Sequence, residues 1–241
     1  MGKIICFFLN FAILTASIPQ RIFFEYCARN VEKHQLKCLK KILSKNAGSE
    51  YGRQHGFGEI GSIDEFRNRV SLSDYEDFLP WIDRIYYGAQ GLLTKDEVQV
   101  LEPTSGSSSA SKLIPYTKSL LKEFRKGIST WINDLYLRYP AIMTGKAYWS
   151  VTPAAMLPNK KESAIPIGFD EDSDYLGGPI KWLFEKLFIV PEEVALIQDI
   201  EQFRYITSLF LLKEKNLVFI SLWNPTFLTL LLLLSNLSPS A

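Results

Sequence analysis

The stretch Val98-Gln-Val-Leu-Glu-Pro-Thr-Ser-Gly-Ser-Ser-Ser-Ala-Ser-Lys112 decides how the chain is organised around it. Apolar residues at Val98, Val100 and Leu101 predict a strand, which runs into a Ser/Gly-rich loop over 104–111. After Leu-Ile-Pro-Tyr, Thr117 is placed to cap a helix that continues to about Tyr139. The loop therefore lies between a strand and, after Leu-Ile-Pro-Tyr, a helix, and this position counts against a flexible linker.

The loop composition suits an anion such as phosphate. Consecutive small residues allow several backbone N–H groups to point into one concavity, and hydroxyl groups add further donors. Gly106 permits a turn that other residues disfavour, and Lys112 supplies a positive charge. A flexible Ser-rich linker has a similar composition and remains an alternative on the letters alone.

Three other loop chemistries fit less well. A Walker A loop would need a second Gly before Lys112 and a hydroxyl residue after it. A nucleophile elbow is nearly matched by Gly106-Ser-Ser-Ser-Ala110, but it needs a later histidine, and His34 and His55 both lie upstream. A Ser-Ser-Lys amidase would need an upstream base lysine, for which Lys95 is the nearest earlier candidate.

Composition excludes several classes of protein. The 241 residues contain 27 Lys+Arg and 26 Asp+Glu, and a net charge of +1 argues against nucleic-acid binding through a strong basic field. Apolar residues make up 47%, which excludes disorder as the overall state. Three cysteines without Cys-x-x-Cys spacing argue for a reducing, cytoplasmic compartment, and no metal-ligand pattern is present.

The remaining chain alternates helices and strands, so we expect an α/β fold with some parallel sheet. A helix is expected from Pro19, with Ser17 as its cap, to about Asn46, and capping boxes at Ser62/Glu65 and Ser73/Glu76 start two short helices. Further strands are predicted at 147–151 and 217–221, and further helices at 180–187 and 191–212.

Both ends are strongly apolar. The run Ile4–Ala16 is too short to cross a membrane, so a packed amphipathic helix is favoured over a signal peptide, and we expect no membrane partner. The run Phe227–Leu234 predicts a helix that enters a buried core. The chain stops soon after it, which suggests a piece of a longer protein.

Several segments together resemble one family. Thr104-Ser-Gly-Ser-Ser with Lys112-Leu-Ile-Pro-Tyr-Thr117 is similar to the first nucleotide-binding motif of the Gretchen Hagen 3 auxin-responsive acyl-acid amido synthetases, of the adenylate-forming, luciferase-like superfamily. Segments 46–57 and Val70-Ser-Leu-Ser-Asp-Tyr-Glu-Asp77 resemble two upstream elements of that family, and Ser221-Leu-Trp-Asn-Pro225 resembles a later strand end. The resemblance extends from about Leu36 onward.

The resemblance implies an N-terminal helical region over 1–97 and the first, incomplete part of a layered α/β ATP-binding domain over 98–241. It implies that ATP and a carboxylic acid form an acyl-adenylate, which an amino acid then converts to an amide, with Mg²⁺ accompanying the ATP. The residues it assigns to ATP are Thr104, Ser105, Gly106, Ser107, Ser108 and Thr117, with Lys112 as the catalytic cation.

The sequence also departs from the family pattern. Ser109 stands where the loop usually has Gly, and Ser71 replaces a common Pro. The later ribose motif and mobile C-terminal domain have no counterpart before residue 241, so we expect no adenylation by this chain alone. A catalytically inactive or partner-binding homologue, and an acyl-CoA ligase-like enzyme, remain alternatives.

Overall fold

The computed structural model describes residues 2–104, 112–150, 163–168, 178–222 and 225–235. The described elements are mostly helical, with four strands. Their bounds are α1 Lys3–Ala28, α2 Val31–Asn46, α3 Glu50–Gln54, α4 Ile63–Arg69, α5 Tyr75–Tyr86, β1 Val98–Pro103, β2 Leu113–Thr117, α6 Lys118–Arg138, β3 Lys146–Trp149, α7 Gly178–Leu187, α8 Ile200–Lys213, β4 Leu217–Ser221 and α9 Pro225–Ser235. Short 3₁₀ helices cover Phe57–Glu59, Pro140–Thr144 and Glu192–Leu196.

The chain forms two compact units. Unit 1 comprises Met1–Arg21, Arg125–Leu157 and Asp170–Ala241, and unit 2 comprises Ile22–Phe124 and Pro158–Phe169. The division follows packing and passes through α1 and α6. The boundary between a helical region 1–97 and an ATP-binding region 98–241 stays a prediction, although the described elements before Val98 are all helical.

Two helices occupy the region where one was expected to start at Pro19. The prediction was wrong at both points, because α1 begins at Lys3 and contains Pro19, and the chain turns at 29–30 before α2. The Ser17 hydroxyl is not a cap but donates to the carbonyl of Leu14, one turn before the proline. Pro19 lacks the N–H that would bond to the carbonyl of Thr15, and the helix continues past it without that bond.

The two predicted helix starts differ in their outcome. Ser62 caps α4 by accepting from the backbone N–H of Glu65, as expected. The Ser73 box was wrong by one residue, because Asp74 caps α5 and Asp77 completes the reciprocal bond. A carboxylate at this position accepts from two backbone N–H groups, which the neighbouring serine does not do here.

The β1 and β2 strands form an antiparallel pair in unit 2, with Pro103 opposite Leu113. The second strand was not predicted, because Pro115 lies inside it and proline disfavours a strand assignment. On the other side of β1, Leu101 exchanges backbone bonds with Pro166 and Gly168. Leu101 is fully buried and belongs to a core cluster with Ile85, Leu92, Val98, Ile165 and Ile167.

The β3 and β4 strands form the parallel pair that the alternating pattern predicted, in unit 1. The strands come close together at their start, where Lys146 donates its N–H to the carbonyl of Asn216. Gly145 lies at this point, and a Cβ there would come within 2.3 Å of that same carbonyl oxygen. Gly145 is required by this close approach and not by its backbone angles, since its φ is −141°. The parallel pair confirms the predicted α/β class.

A buried polar group, here called the Asn10 cluster, joins α1 to α6 and comprises Asn10, Ser17, Asn133 and Tyr136. The Asn10 amide donates to the carbonyls of Met143 and Gly145, and its oxygen accepts from the Tyr136 hydroxyl at 2.6 Å. Asn133 donates to the carbonyl of Leu14 and to the Ser17 hydroxyl. Asn10 and Ser17 of α1 thus face the interior of unit 1.

The opposite side of α1 is apolar and exposed. Exposed side chains there include Ile4, Phe8, Ile22 and Phe23. The run Ile4–Ala16 is the first part of the longer helix α1, which has the length and composition to cross a membrane. The expectation of a helix too short to do so was therefore wrong. Signal sequences and core helices of soluble proteins share these properties, and the cytoplasmic location stays a prediction.

The α9 helix packs as the apolar run Phe227–Leu234 predicted, for the side chains that the structure describes. Leu231 is buried in a cluster with Tyr148 and Phe203, and Phe227 contacts the ring of Phe203. The Ser208 hydroxyl of α8 donates to the carbonyl of Leu231. These contacts anchor α9 within unit 1.

Candidate functional site

The ends of the Ser-rich segment lie side by side at the end of the β1–β2 hairpin. The N–H of Thr104 donates to the carbonyl of Lys112 at 2.8 Å, directly beyond the Pro103–Leu113 pair. The segment therefore connects two antiparallel strands, whereas the sequence placed it between a strand and, after Leu-Ile-Pro-Tyr, a helix. A hairpin fixes both ends of the segment relative to one rigid strand pair.

The predicted phosphate residues fall into two groups. Ser105, Gly106, Ser107 and Ser108 lie outside the described residues. Thr104, Lys112 and Thr117 are described, and Thr104 and Lys112 are brought together by the backbone bond between them. Assignment of these residues to ATP stays a prediction.

Thr117 has a structural role in the present fold. Its side chain is buried, and its hydroxyl accepts from the N–H of Leu120 at 3.2 Å, which caps the first turn of α6. This confirms the predicted cap. Thr117 lies at the end of β2 opposite to Lys112, so it connects the hairpin to the helix that follows.

Lys112 has two partners from the first turn of α5. Its ammonium nitrogen lies 3.3 Å from a carboxylate oxygen of Glu76 and 4.8 Å from the centre of the Tyr75 ring. The side chains of Lys112 and Glu76 are 46% and 61% exposed, so solvent and small anions can reach both. An ion pair this exposed is weak and exchangeable.

Tyr75 also binds the backbone next to Lys112. Its hydroxyl accepts from the N–H of Leu113 at 2.7 Å and donates to the carbonyl of the same residue at 3.3 Å. From the sequence, Glu76 was assigned only to a capping box with Ser73, and Tyr75 had no role beyond its place in the segment 70–77. The pairing joins positions 38 residues apart, and no local pattern predicts it.

A second set of contacts fixes the entry to β1 and the start of α6. The ammonium group of Lys45 on α2 donates to Asp96, which lies two residues before β1, and to the Ser119 hydroxyl in the first turn of α6. The hydrogen bond from Lys45 holds the pKa of the Asp96 carboxyl below its usual range, with help from Ser119. This lysine therefore stabilises the framework around the hairpin.

The residues of the rival catalytic hypotheses have other contacts. The backbone N–H of Lys95 donates to the Asn46 side chain, and the Lys95 side chain lies beside Gly48. His55 contacts the carbonyl of Tyr51 and stacks on its ring, and His34 contacts Cys27. Within the described ranges no group of three or more His, Cys, Asp or Glu side chains could hold a metal ion.

Comparison with known sequences gives a consistent family. The sequence model described as "GH3 family N-terminal domain" matches residues 20–237. A probable indole-3-acetic acid-amido synthetase, GH3.7 of Oryza sativa subsp. japonica, is 39% identical over 109 residues, covering 41% of this chain and 18% of the rice protein. The jasmonoyl–L-amino acid synthetase JAR4 of Nicotiana attenuata is 28% identical over 188 residues, covering 76% of this chain and 32% of JAR4.

Solved structures agree on the fold. A GH3.15 acyl acid amido synthetase superposes with a TM-score of 0.67 at 25% identity, covering 89% of this chain and 38% of that one. A second structure, AtGH3.15 in complex with 2,4-DB, gives a TM-score of 0.74 at 23% identity, with 91% and 38% covered. The chain thus spans well under half the length of the relatives it matches. It belongs to the GH3 family and carries the fold of that family's N-terminal domain.

Proposed function

We propose that this chain supplies the triphosphate-binding part of an acyl-acid amido synthetase. Thr104, Ser105, Gly106, Ser107 and Ser108 surround the phosphates, Lys112 neutralises them, and Thr117 lies near the nucleotide. The observation that carries the proposal is the bond from the Thr104 N–H to the Lys112 carbonyl, which closes a Ser/Gly segment beside a half-exposed ammonium group.

The reaction follows from the family of amido synthetases. A carboxylate oxygen of the acid attacks the α-phosphorus of ATP, the bond to the β-phosphate oxygen breaks, and pyrophosphate leaves. An amino acid amine then attacks the acyl carbonyl, its nitrogen releases one proton to solvent, and AMP leaves with the electrons of the broken C–O bond. Negative charge grows on the departing pyrophosphate, so a cation already in place lowers the barrier.

The described residues fit a polyphosphate better than a tightly held metal. Lys112 is a point charge at the end of the hairpin where the Ser-rich segment joins β2, and its partner Glu76 is exposed and replaceable. Mg²⁺ is expected to arrive with the ATP, since this ion often takes most of its ligands from phosphates and water. We assign no residue of this chain to it.

The acceptor is an amine in our proposal rather than the thiol of coenzyme A. The relatives that this chain matches are named as indole-3-acetic acid-amido synthetases or as jasmonoyl–L-amino acid synthetases. The proposal therefore takes a small carboxylic acid and an amino acid as partners.

Titration calorimetry with ATP and with AMP tests the phosphate site. ATP is expected to bind more tightly than AMP. Lys112→Ala is expected to lower the affinity for ATP about tenfold or more, because a charge-assisted bond to phosphate is lost. Lys37→Ala, which removes an exposed lysine of α2, serves as the matched control. Equal ATP affinity in the Lys112→Ala and Lys37→Ala variants would remove Lys112 from the site.

A further inference from the structure

The first turn of α5 presents Tyr75 and Glu76 to the end of the hairpin from a fixed base. Asp74 accepts from the backbone N–H groups of residues 76 and 77, and the Asp77 side chain accepts from the N–H of Asp74 in return. Further along the helix, Ile82 and Ile85 are buried. A capped helix with a buried face holds its first-turn side chains in a narrow range of positions.

The Tyr75 hydroxyl replaces a neighbouring strand for Leu113. In an antiparallel ladder, alternate residues direct their N–H and C=O groups away from the partner strand. Leu113 bonds both of these groups to the one hydroxyl, at 2.7 and 3.3 Å. The start of β2, and with it the backbone of Lys112, is therefore fixed by Tyr75 as well as by β1.

The ammonium group of Lys112 is held in addition by a ring face and a carboxylate. The Tyr75 ring offers its electron-rich face at 4.8 Å, and Glu76 lies at 3.3 Å. The contact between Lys112 and Glu76 is open to solvent, so a more highly charged anion can take the place of Glu76. The ring attracts the cation without carrying a charge that competes with phosphate.

We propose that Tyr75 and Glu76 are positioning residues for Lys112, an inference that rests on the proposed function of Lys112 as the phosphate cation. Tyr75 fixes the backbone and orients the ammonium group. Glu76 holds the ammonium group in the absence of nucleotide and yields it to the polyphosphate. The four residues Tyr75, Glu76, Lys112 and Leu113 are called the Lys112 seat below.

The first experiment needs no ligand and measures amide hydrogen exchange of Leu113 by NMR in the complete chain. Tyr75→Phe removes the hydroxyl but keeps the ring, so exchange at Leu113 is expected to become about fivefold faster or more, since a hydrogen bond has been lost. Tyr87→Phe, at an exposed tyrosine after the end of α5, is the matched control. Unchanged exchange at Leu113 in Tyr75→Phe would overturn the backbone role.

The second experiment follows the protons on the Cε of Lys112, again without ligand. A cation over a ring face carries an upfield ring-current shift, which Tyr75→Phe preserves and Tyr75→Leu abolishes. Loss of the shift in both variants would show that the hydroxyl, and not the ring, places the ammonium group. An absence of any shift in the unaltered chain would overturn the ring contact.

The third experiment measures the affinity for inorganic tripolyphosphate in a double-mutant cycle. Glu76→Gln is expected to bind it about two- to fivefold more tightly, because the exposed competing anion is gone. In the Lys112→Ala background the same substitution should change affinity less than twofold. An equal gain in both backgrounds would mean that Glu76 only repels anions in general, and this would overturn its role at Lys112.

The outcomes separate this inference from the proposed function. If the unaltered chain binds neither ATP nor tripolyphosphate, the phosphate proposal fails, while Leu113 exchange and the Lys112 shift still report whether Tyr75 builds the seat. If tripolyphosphate binds and depends on Lys112, but Leu113 exchange is insensitive to Tyr75→Phe, the phosphate proposal stands and the positioning role of Tyr75 fails.

Discussion

The Asn10 cluster and the Lys112 seat both join a helix to a distant part of the chain, and they do so with opposite chemistry. In the Asn10 cluster the partners are neutral amides and hydroxyls that are almost fully buried. In the Lys112 seat a charged pair is about half exposed. Buried neutral contacts are costly to break and fix one arrangement, whereas exposed charges exchange partners at little cost. Under our proposal, stability and ligand capture therefore depend on different regions of the chain.

The comparison is tested most severely by Asn10→Leu. This side chain has similar volume but leaves the Tyr136 hydroxyl and the carbonyls of Met143 and Gly145 without their partner. We expect a loss of about 3–5 kcal/mol in the free energy of unfolding, measured by urea denaturation. Thr15→Ala on the exposed side of α1 is the control, and a loss as small as in that variant would contradict the assigned role.

Tyr136→Phe removes one bond of the same cluster, so its effect should be smaller. We expect a loss of about 1–2 kcal/mol at neutral pH in urea denaturation, because the oxygen of Asn10 loses its donor. Burial also raises the pKa of the Tyr136 hydroxyl above its ordinary value of 10.0. The unfolded chain therefore releases this proton first, and stability should fall as pH rises above 10.0.

The predicted loss of stability at high pH is tested by comparing Tyr136→Phe with the unaltered chain. In Tyr136→Phe the decline attributable to this hydroxyl should disappear, so the two stability curves should converge as pH rises. Parallel curves between neutral and strongly alkaline pH would contradict the burial argument.

The Lys146–Glu214 pair is charged, as in the Lys112 seat, but both of its side chains are largely buried. The Lys146 nitrogen lies 2.9 Å from a carboxylate oxygen of Glu214. The hydrogen bond from Lys146 lowers the pKa of Glu214, so its contribution is present above the unfolded pKa and is lost as pH falls through the lowered folded value. Glu214→Gln should cost about 1 kcal/mol at pH 7, as measured by urea denaturation.

The difference between Glu214→Gln and the unaltered chain should vanish in acid, once the carboxyl is protonated in both states. Glu201→Gln, at a carboxylate that is 61% exposed and pairs with Arg204 one helical turn away, is the matched control. A pH-independent difference would show that packing, and not charge, stabilises this position.

The smallest effect is expected for Glu50→Gln in unit 2. Arg84 donates two hydrogen bonds to Glu50, at 2.9 and 2.8 Å, and these bonds lower the pKa of its carboxyl. The pair is open to solvent, so we expect a shift in the urea midpoint close to the error of the measurement. Any shift should shrink further in high salt, and a large salt-independent shift would break the comparison.

The sequence predicted the local parts of this structure and missed the distant ones. The β4 bounds and the Thr117 cap follow from short patterns, and both are confirmed. Tyr75 and Asn10 gave no such signal, because their partners lie 38 and 126 residues away. Asn10 interrupts an apolar run in the sequence, and only the folded chain places it in a buried network.

The same distinction applies to the candidate site. A Ser/Gly segment ending in lysine indicated an anion site through composition alone. Pro115 concealed the second strand, so the hairpin that closes the segment could not be predicted. Register and closure depend on pairing between strands, and pairing is a property of the folded chain.

The close approach of β3 and β4 at Gly145 limits which substitutions this position can accept. The hydrogen in place of a side chain is what allows the Asn216 carbonyl and Val218 to lie where they do, and even a methyl group would overlap both. Codon 145 should therefore tolerate no replacement in a saturation screen that selects for folded protein, whereas codon 127, where a methyl group meets open space, should accept many. At Gly145 the distance between β3 and β4 is therefore set by contact between the two backbones.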